Sequence, residues 1–181
     1  MSAKNKKMPK VRPNGFTFIE IVVVIGIIGM ISLLFYPDVR RSIEVRKLEN
    51  EARDVLTTMQ RAKFQAVKTK LNHRVGFVNN NNQWFFFIER EVTPDNWSLF
   101  PGFVRKPISS EFNVVVDFPD STGVPDKAVV FSPLGFVLNY DNNHHSLSLQ
   151  SLKLDRYDQP DLRIINVYAG GSIQYLESES Q

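Results

Sequence analysis

Asn14-Gly15-Phe16-Thr17-Phe18-Ile19-Glu20 opens an apolar run that continues to Tyr36. Between Phe16 and Tyr36 the one strongly polar side chain is Glu20, with Thr17, Ser32 and two glycines as mild exceptions. A helix of that length rises roughly 30 Å, enough to cross a bilayer's hydrocarbon core. A carboxylate near the start of a lipid-facing helix is costly, which makes Glu20 a candidate functional residue. Ahead of the run stand Lys4, Lys6, Lys7, Lys10 and Arg12, with no acidic residue among them.

A short basic leader, Gly15, then Phe16-Thr17-Phe18-Ile19-Glu20, and an apolar run broken at Pro37 occur here together. This set of features resembles the processing site of type IV prepilins and type II secretion pseudopilins. The resemblance implies that a prepilin peptidase cuts between Gly15 and Phe16 and that the new Phe16 amine is N-methylated. It implies assembly roles for Glu20 and Pro37, and no cofactor. The implied fold is α+β and type IV pilin-like, with one long N-terminal helix packed on an antiparallel β-sheet head. The helix would have a transmembrane half and an amphipathic half. The expected organisation is a leader at 1–15, a transmembrane helix at 16–36, its amphipathic continuation at 37–71, and a β-rich periplasmic head at 72–181. Implied partners are the prepilin peptidase, other pseudopilins or pilins in a filament, an inner-membrane assembly platform and the membrane itself.

Other readings of the N-terminus fit less well. A secretory signal peptide has an apolar region of about 7–15 residues and a small-x-small cleavage site. This run is longer and has no such site near Pro37. A plain membrane anchor explains the length and the basic flank but has no use for Glu20. A lipoprotein is excluded because the chain has no cysteine. Arg40-Arg41 follows the apolar run and so cannot be a twin-arginine export signal.

The formal charge of +3 and pI near 9.2 invite a nucleic-acid reading. The leader, however, holds five of the 22 basic residues and none of the 19 acidic ones, so the chain after Gly15 carries a net −2. A basic leader stays cytoplasmic under the positive-inside rule, which places everything after Tyr36 across the membrane, on the periplasmic or outer side.

Beyond Pro37, Val39, Ile43, Leu48, Ala52, Val55, Leu56, Met59, Ala62, Ala66 and Val67 recur at three- and four-residue steps. That is the period of an amphipathic helix. Pro37 removes one backbone donor and should bend the helix rather than end it, because the period resumes at once. One helix from Phe16 to about Thr69 is expected. Arg61, Lys63, Lys68 and Lys70 make its end basic. Pairing with the helix dipole is the ordinary explanation; contact with an acidic surface on a neighbouring subunit is the alternative.

From Asn72 the period becomes that of strands. Arg74-Val78 and Trp84-Glu89 flank the tetrad Asn79-Asn80-Asn81-Asn82 and read as a hairpin. Further strands are expected at Asn113-Phe118, Ala128-Ser132, Phe136-Tyr140, Ser146-Leu152, Leu162-Tyr168 and Ser172-Leu176. Thr93-Ser110, with its loop-forming residues and apparently exposed aromatics, reads as an insertion or long loop, and Glu177-Gln181 as a frayed tail. Several short strands behind one helix give an α+β head.

Phe131-Ser132-Pro133-Leu134-Gly135 and Val167-Tyr168-Ala169-Gly170-Gly171-Ser172-Ile173 add a second resemblance, to the GspH/FimT type of minor pseudopilin and minor pilin. DNA-binding pilins of this type use arginines in the final hairpin, and Ser172 and Gln174 stand here instead. Residues 72–181 carry eight Lys and Arg against 13 Asp and Glu. So acidic a head repels phosphates, and nucleic acid is disfavoured as a partner. Arg105-Lys106, near Phe100 and Phe103, reads as a surface loop rather than a footprint.

Catalysis finds little support. His144 and His145 are adjacent, and on a strand they would point to opposite faces, which does not suit ligation of one metal. His73 stands alone. Asp155, Asp158 and Asp161 lack the central glycine and terminal glutamate of a calcium loop and read as a solvated turn. There is no phosphate-binding glycine loop and no Gly-x-Ser-x-Gly elbow. The chain is therefore read as a non-enzyme. The leading function is a minor pseudopilin of a type II secretion system, and the alternative is a minor pilin of a type IV pilus. A membrane-tethered binding domain with no filament role is a third.

Overall fold

The computed structural model describes residues 15–121, 123–152 and 161–178, apart from the side chains of 33–35, 37, 38 and 178. The chain divides into two compact units, one ending at Arg40 and one beginning at Arg41. Helix α1, Phe18–Thr69, contributes to both and runs through Pro37 as helix. It ends where Lys70 turns to φ 60°, a left-handed residue that closes the last turn.

In the second unit the helix buries a stripe. Leu48, Ala52, Val55, Met59, Ala62 and Ala66 are fully buried, at alternating four- and three-residue steps that keep them on one face. The stripe is narrower than the sequence suggests. Ile43 and Val67 are exposed and Leu56 is only partly buried, because each lies off the line of those six. Val39, in the first unit, is also exposed.

Among the described residues nine strands form two antiparallel sheets. The first comprises β1 (His73–Asn80), β2 (Gln83–Thr93), β3 (Asn96–Leu99), β4 (Lys106–Pro107) and β6 (Lys127–Phe131). Its order is β3-β2-β1-β6, with β4 also paired to β2. The second orders β5 (Phe112–Asp117), β7 (Ser146–Ser151), β8 (Leu162–Val167) and β9 (Ile173–Ser178) as β5-β7-β8-β9. Val75, Phe77, Phe86, Ile88 and Phe131 of the first sheet and Leu147, Leu149, Ile165 and Val167 of the second join the helix stripe in one core. The α+β class and the helix packed on antiparallel sheet are as expected.

The β1–β2 hairpin closes on Asn81 and Asn82, at φ 52° and 67°, between the paired Asn80 and Gln83. Two positive φ values in a two-residue loop are the setting in which asparagine is favoured. In mid-strand, Gly76 leaves room for Pro125. A Cβ there would come within 2.6 Å of the proline ring, the close approach that admits only glycine.

Three expectations need correction. Thr93–Ser110 is not a free loop, since it supplies β3 and β4 along the open edge of β2. Its aromatics are held in place, with Phe103 buried and Phe100 packed on the core. Phe136–Tyr140 is not a strand; Val137 makes one isolated bridge to Phe131. There the Asn139 side chain stands in for backbone, accepting from Val130 N at 2.9 Å and donating to Ala128 O at 2.7 Å. That side chain caps the outer edge of β6 without a paired strand. Glu177 belongs to β9 rather than to a tail. The leader at 1–14, Asp155, Asp158 and the last three residues lie outside the described residues.

Candidate functional site

Gly15, Phe16 and Thr17 precede the helix, and all three are exposed. A Cβ on Gly15 would meet nothing within 4 Å. The Gly15-Phe16 peptide bond therefore lies outside the helix, uncovered by any described residue.

Thr17 caps α1. Glu20 N donates to Thr17 Oγ1 at 3.3 Å, and Thr17 N donates to Glu20 Oε2 at 3.5 Å. Threonine at the cap and glutamate three residues on form a reciprocal capping box, which satisfies two of the orphan donors of the first turn. The carboxylate also lies at the positive end of the helix dipole. The spacing Thr17-x-x-Glu20 was the signal for this, and sequence reasoning passed over it. Glu20 thus has a local partner, weakly held at these distances.

Up to Ile31, the apolar residues around Glu20 have no cover among the described residues. Phe16 and Phe18 are 79% and 83% exposed, and Ile19, Ile21, Val22, Val23, Val24, Ile25, Ile27, Ile28, Met30 and Ile31 are all exposed as well. Among the described residues no helix is long and apolar enough to cross a membrane. Residues 33–35, which extend the run in the sequence, have side chains outside the described ones. Pro37 lies within α1, and its side chain is likewise not described.

In the second unit, polar contacts fix the helix to the sheets. Arg163 is 1% exposed, on the same buried face of β8 as Ile165. It donates to Glu49 of α1 at 3.0 Å, pairs with Glu177 of β9 at 2.6 Å, and also pairs with Asp161. Glu49 further accepts from the Tyr175 hydroxyl and from Arg53. Burial pushes the Glu49 carboxyl up, yet the bonds from Tyr175, Arg163 and Arg53 outweigh it and leave it below the usual range. Burial and the adjacent Glu49 raise the Tyr175 hydroxyl. The only sequence hint of this centre is a lone arginine in the alternating run Leu162-Arg163-Ile164-Ile165.

The two turn motifs meet each other. Gly135 and Gly171, at φ 83° and 73°, approach so closely that a Cβ on Gly171 would lie 1.8 Å from Gly135 O. Lys63 of α1 donates to Gly171 O at 2.8 Å, and Val137 N donates to Ala169 O at 3.0 Å. Lys63 is therefore engaged within the chain, and Arg61 lies over the Phe100 and Phe103 rings. Arg105 is exposed on a loop, as expected, and Lys106 opens β4. Arg105 stacks 4.6 Å from the Phe87 ring centroid, and Lys106 pairs with Asp54 of α1 at 2.8 Å.

His144 and His145 diverge. His144 Nδ1 sits 2.6 Å from Asp117, whose bond raises the imidazole pKa, while His145 lies between the Tyr140 and Tyr168 rings. Asp161 is committed to Arg163. Among the described residues no group of three or more His, Asp or Glu could hold a metal ion.

No family model and no curated protein matches the chain. Two solved structures are similar in fold. One is the minor pseudopilin EpsH from the type 2 secretion system of Vibrio cholerae, at 10% identity and TM-score 0.49, covering 72% of this chain and 97% of that one. The other is the type IV minor pilin FimU of Pseudomonas aeruginosa PAO1, at 13% identity and TM-score 0.47, covering 74% and 98%. At these scores neither likeness decides what this chain does.

Proposed function

We propose that this chain is a pilin-like structural subunit, cut between Gly15 and Phe16 and assembled through the first part of α1. The observation that carries this is the exposed apolar first part of α1, with Glu20 as the lone carboxylate between Phe16 and Tyr36, preceded by an exposed Gly15-Phe16 bond. So much uncovered apolar surface needs lipid before assembly and neighbouring helices after it. A freed Phe16 amine and Glu20 are each costly to desolvate alone. Glu20 of one subunit beside the Phe16 amine of its neighbour would give each charge a partner and set the axial register.

Within that class the favoured role is a minor pseudopilin of a type II secretion system, anchored in the inner membrane with its head in the periplasm. A minor pilin of a type IV pilus is the second reading, since both machines use the same helix chemistry. The protein acts as a building block, with no catalytic role. Deleting the gene distinguishes the machines: loss of protein secretion with intact surface motility supports the first, and the reverse pattern rejects it. Failure of a cysteine-substituted chain to crosslink to any other pilin-like subunit would reject both.

A further inference from the structure

A groove of about 400 Å3 lies between the hairpin end of the first sheet and β5 of the second. One wall carries Asn79, Asn81, Asn82 and Gln83, and the other carries Asn113. Trp84 is the cross-strand partner of Asn79, so the two share a face, and strand alternation puts them on the side of Phe86 and Ile88. The indole packs partly on the core and partly lines the groove. Ser109 and Ser110 add hydroxyls.

The chemistry of this lining is unusual for the chain. Charged residues make up 23% of the sequence, yet among the described residues no Lys, Arg, Asp, Glu or His lines the groove. The hairpin turn accounts for asparagine at 81 and 82 through their positive φ, but it asks nothing of Gln83 or Asn113. Asn79 is held by accepting from Asn82 N at 3.0 Å. The side-chain amides of Asn81, Gln83 and Asn113 have no hydrogen-bond partner among the described residues.

We infer that this groove binds a neutral saccharide. Each primary amide offers two donors and an acceptor, which match hydroxyls that both donate and accept. An indole supplies an apolar face for the C–H side of a sugar ring, with one polar handle. The described lining, being without charge, itself gives no pull on phosphates, carboxylates or charged peptides. The volume falls in the range of small-ligand sites, roughly 300–1,000 Å3. Nothing in this inference depends on the filament role.

The test is titration of the full chain, held in a detergent without a sugar headgroup, with chitohexaose and separately with maltohexaose. Tryptophan fluorescence and saturation-transfer NMR follow binding. The expected result is saturable binding of at least one probe, with Kd about 1 mM or tighter. Asn113→Leu and Gln83→Leu should each weaken it about tenfold while circular dichroism stays unchanged. Trp97→Phe, at the other tryptophan, stacked on Arg74, should leave it unchanged. Preference for chitohexaose would assign acetamido glycans, and preference for maltohexaose plain glucans. No saturable binding of either probe, or binding that survives both leucine substitutions, would overturn the inference.

Discussion

Arg163 Nε donates to Glu49 Oε2 at 3.0 Å, joining β8 to α1 across 114 residues of sequence. Arg163 is 1% exposed and compensates Glu49, Asp161 and Glu177 together. Removing one partner of a buried ion pair typically costs about 3–5 kcal/mol; here Glu49 keeps Tyr175 and Arg53 and Glu177 is half-exposed, which sets the loss at the low end of that range. Arg163→Met should therefore lower unfolding free energy by about that much in denaturant melts. Adding Glu49→Leu to it should recover part of the loss. An Arg163→Met chain as stable as wild type would show that the network contributes nothing.

Gly171 offers a sharper contrast. Gly102 has nearly the same backbone angle, φ 76° against 73°, but a Cβ there meets nothing within 4 Å. Gly102→Ala should cost only the left-handed strain, about 1–2 kcal/mol. Gly171→Ala adds the overlap with Gly135 O and should cost about 3 kcal/mol or more. Equal melting temperatures for the two variants would contradict the close contact of the turns.

The capping box and the proposed intersubunit pair can be separated at Glu20. Glutamine keeps the reach back to Thr17 N but loses the charge. If pairing with a neighbour's Phe16 amine matters, Glu20→Gln and Glu20→Ala should both enter the filament poorly, by about tenfold or more. Recovery of normal crosslinked filament by Glu20→Gln alone would leave Glu20 as a helix cap only.

His73 is fully buried, with Nδ1 3.0 Å from the Leu71 carbonyl and Nε2 without a partner among the described residues. Burial, with Arg90 nearby, holds its pKa below the usual 6.5. The unfolded chain then takes up a proton that the folded chain refuses, so stability falls as pH drops below about 6.5. His73→Phe should lose less stability than wild type between about pH 7 and pH 5. His144 works in the opposite direction, contributing stability at acid pH that is lost as pH rises through its raised pKa. A His73→Phe melting curve parallel to wild type across that range would remove His73 as the cause.

What the sequence makes legible is what repeats. Leu48 to Ala66 declare a helix face by their spacing, and the switch to alternation after Asn72 marks the strands. Gly135 and Gly171 are visible as turn residues, but their mutual contact depends on two segments folding to the same place. Arg163 looks like an ordinary strand arginine until α1 delivers Glu49 beside it. β3 and β4 are too short to show a period, and they exist because the edge of β2 accepts them. Asn139 misleads because its side chain does the work of a backbone. At the front of α1, Thr17 was legible as a cap from its spacing to Glu20, whereas the exposure of Gly15-Phe16 required coordinates.

The central claim is best tested by intact mass and N-terminal sequencing of the protein purified from its native membrane. The account predicts a chain that begins at N-methylated Phe16. A chain that still carries Met1 to Gly15, in cells with an active prepilin peptidase, would contradict it and leave a tethered binding domain as the better description.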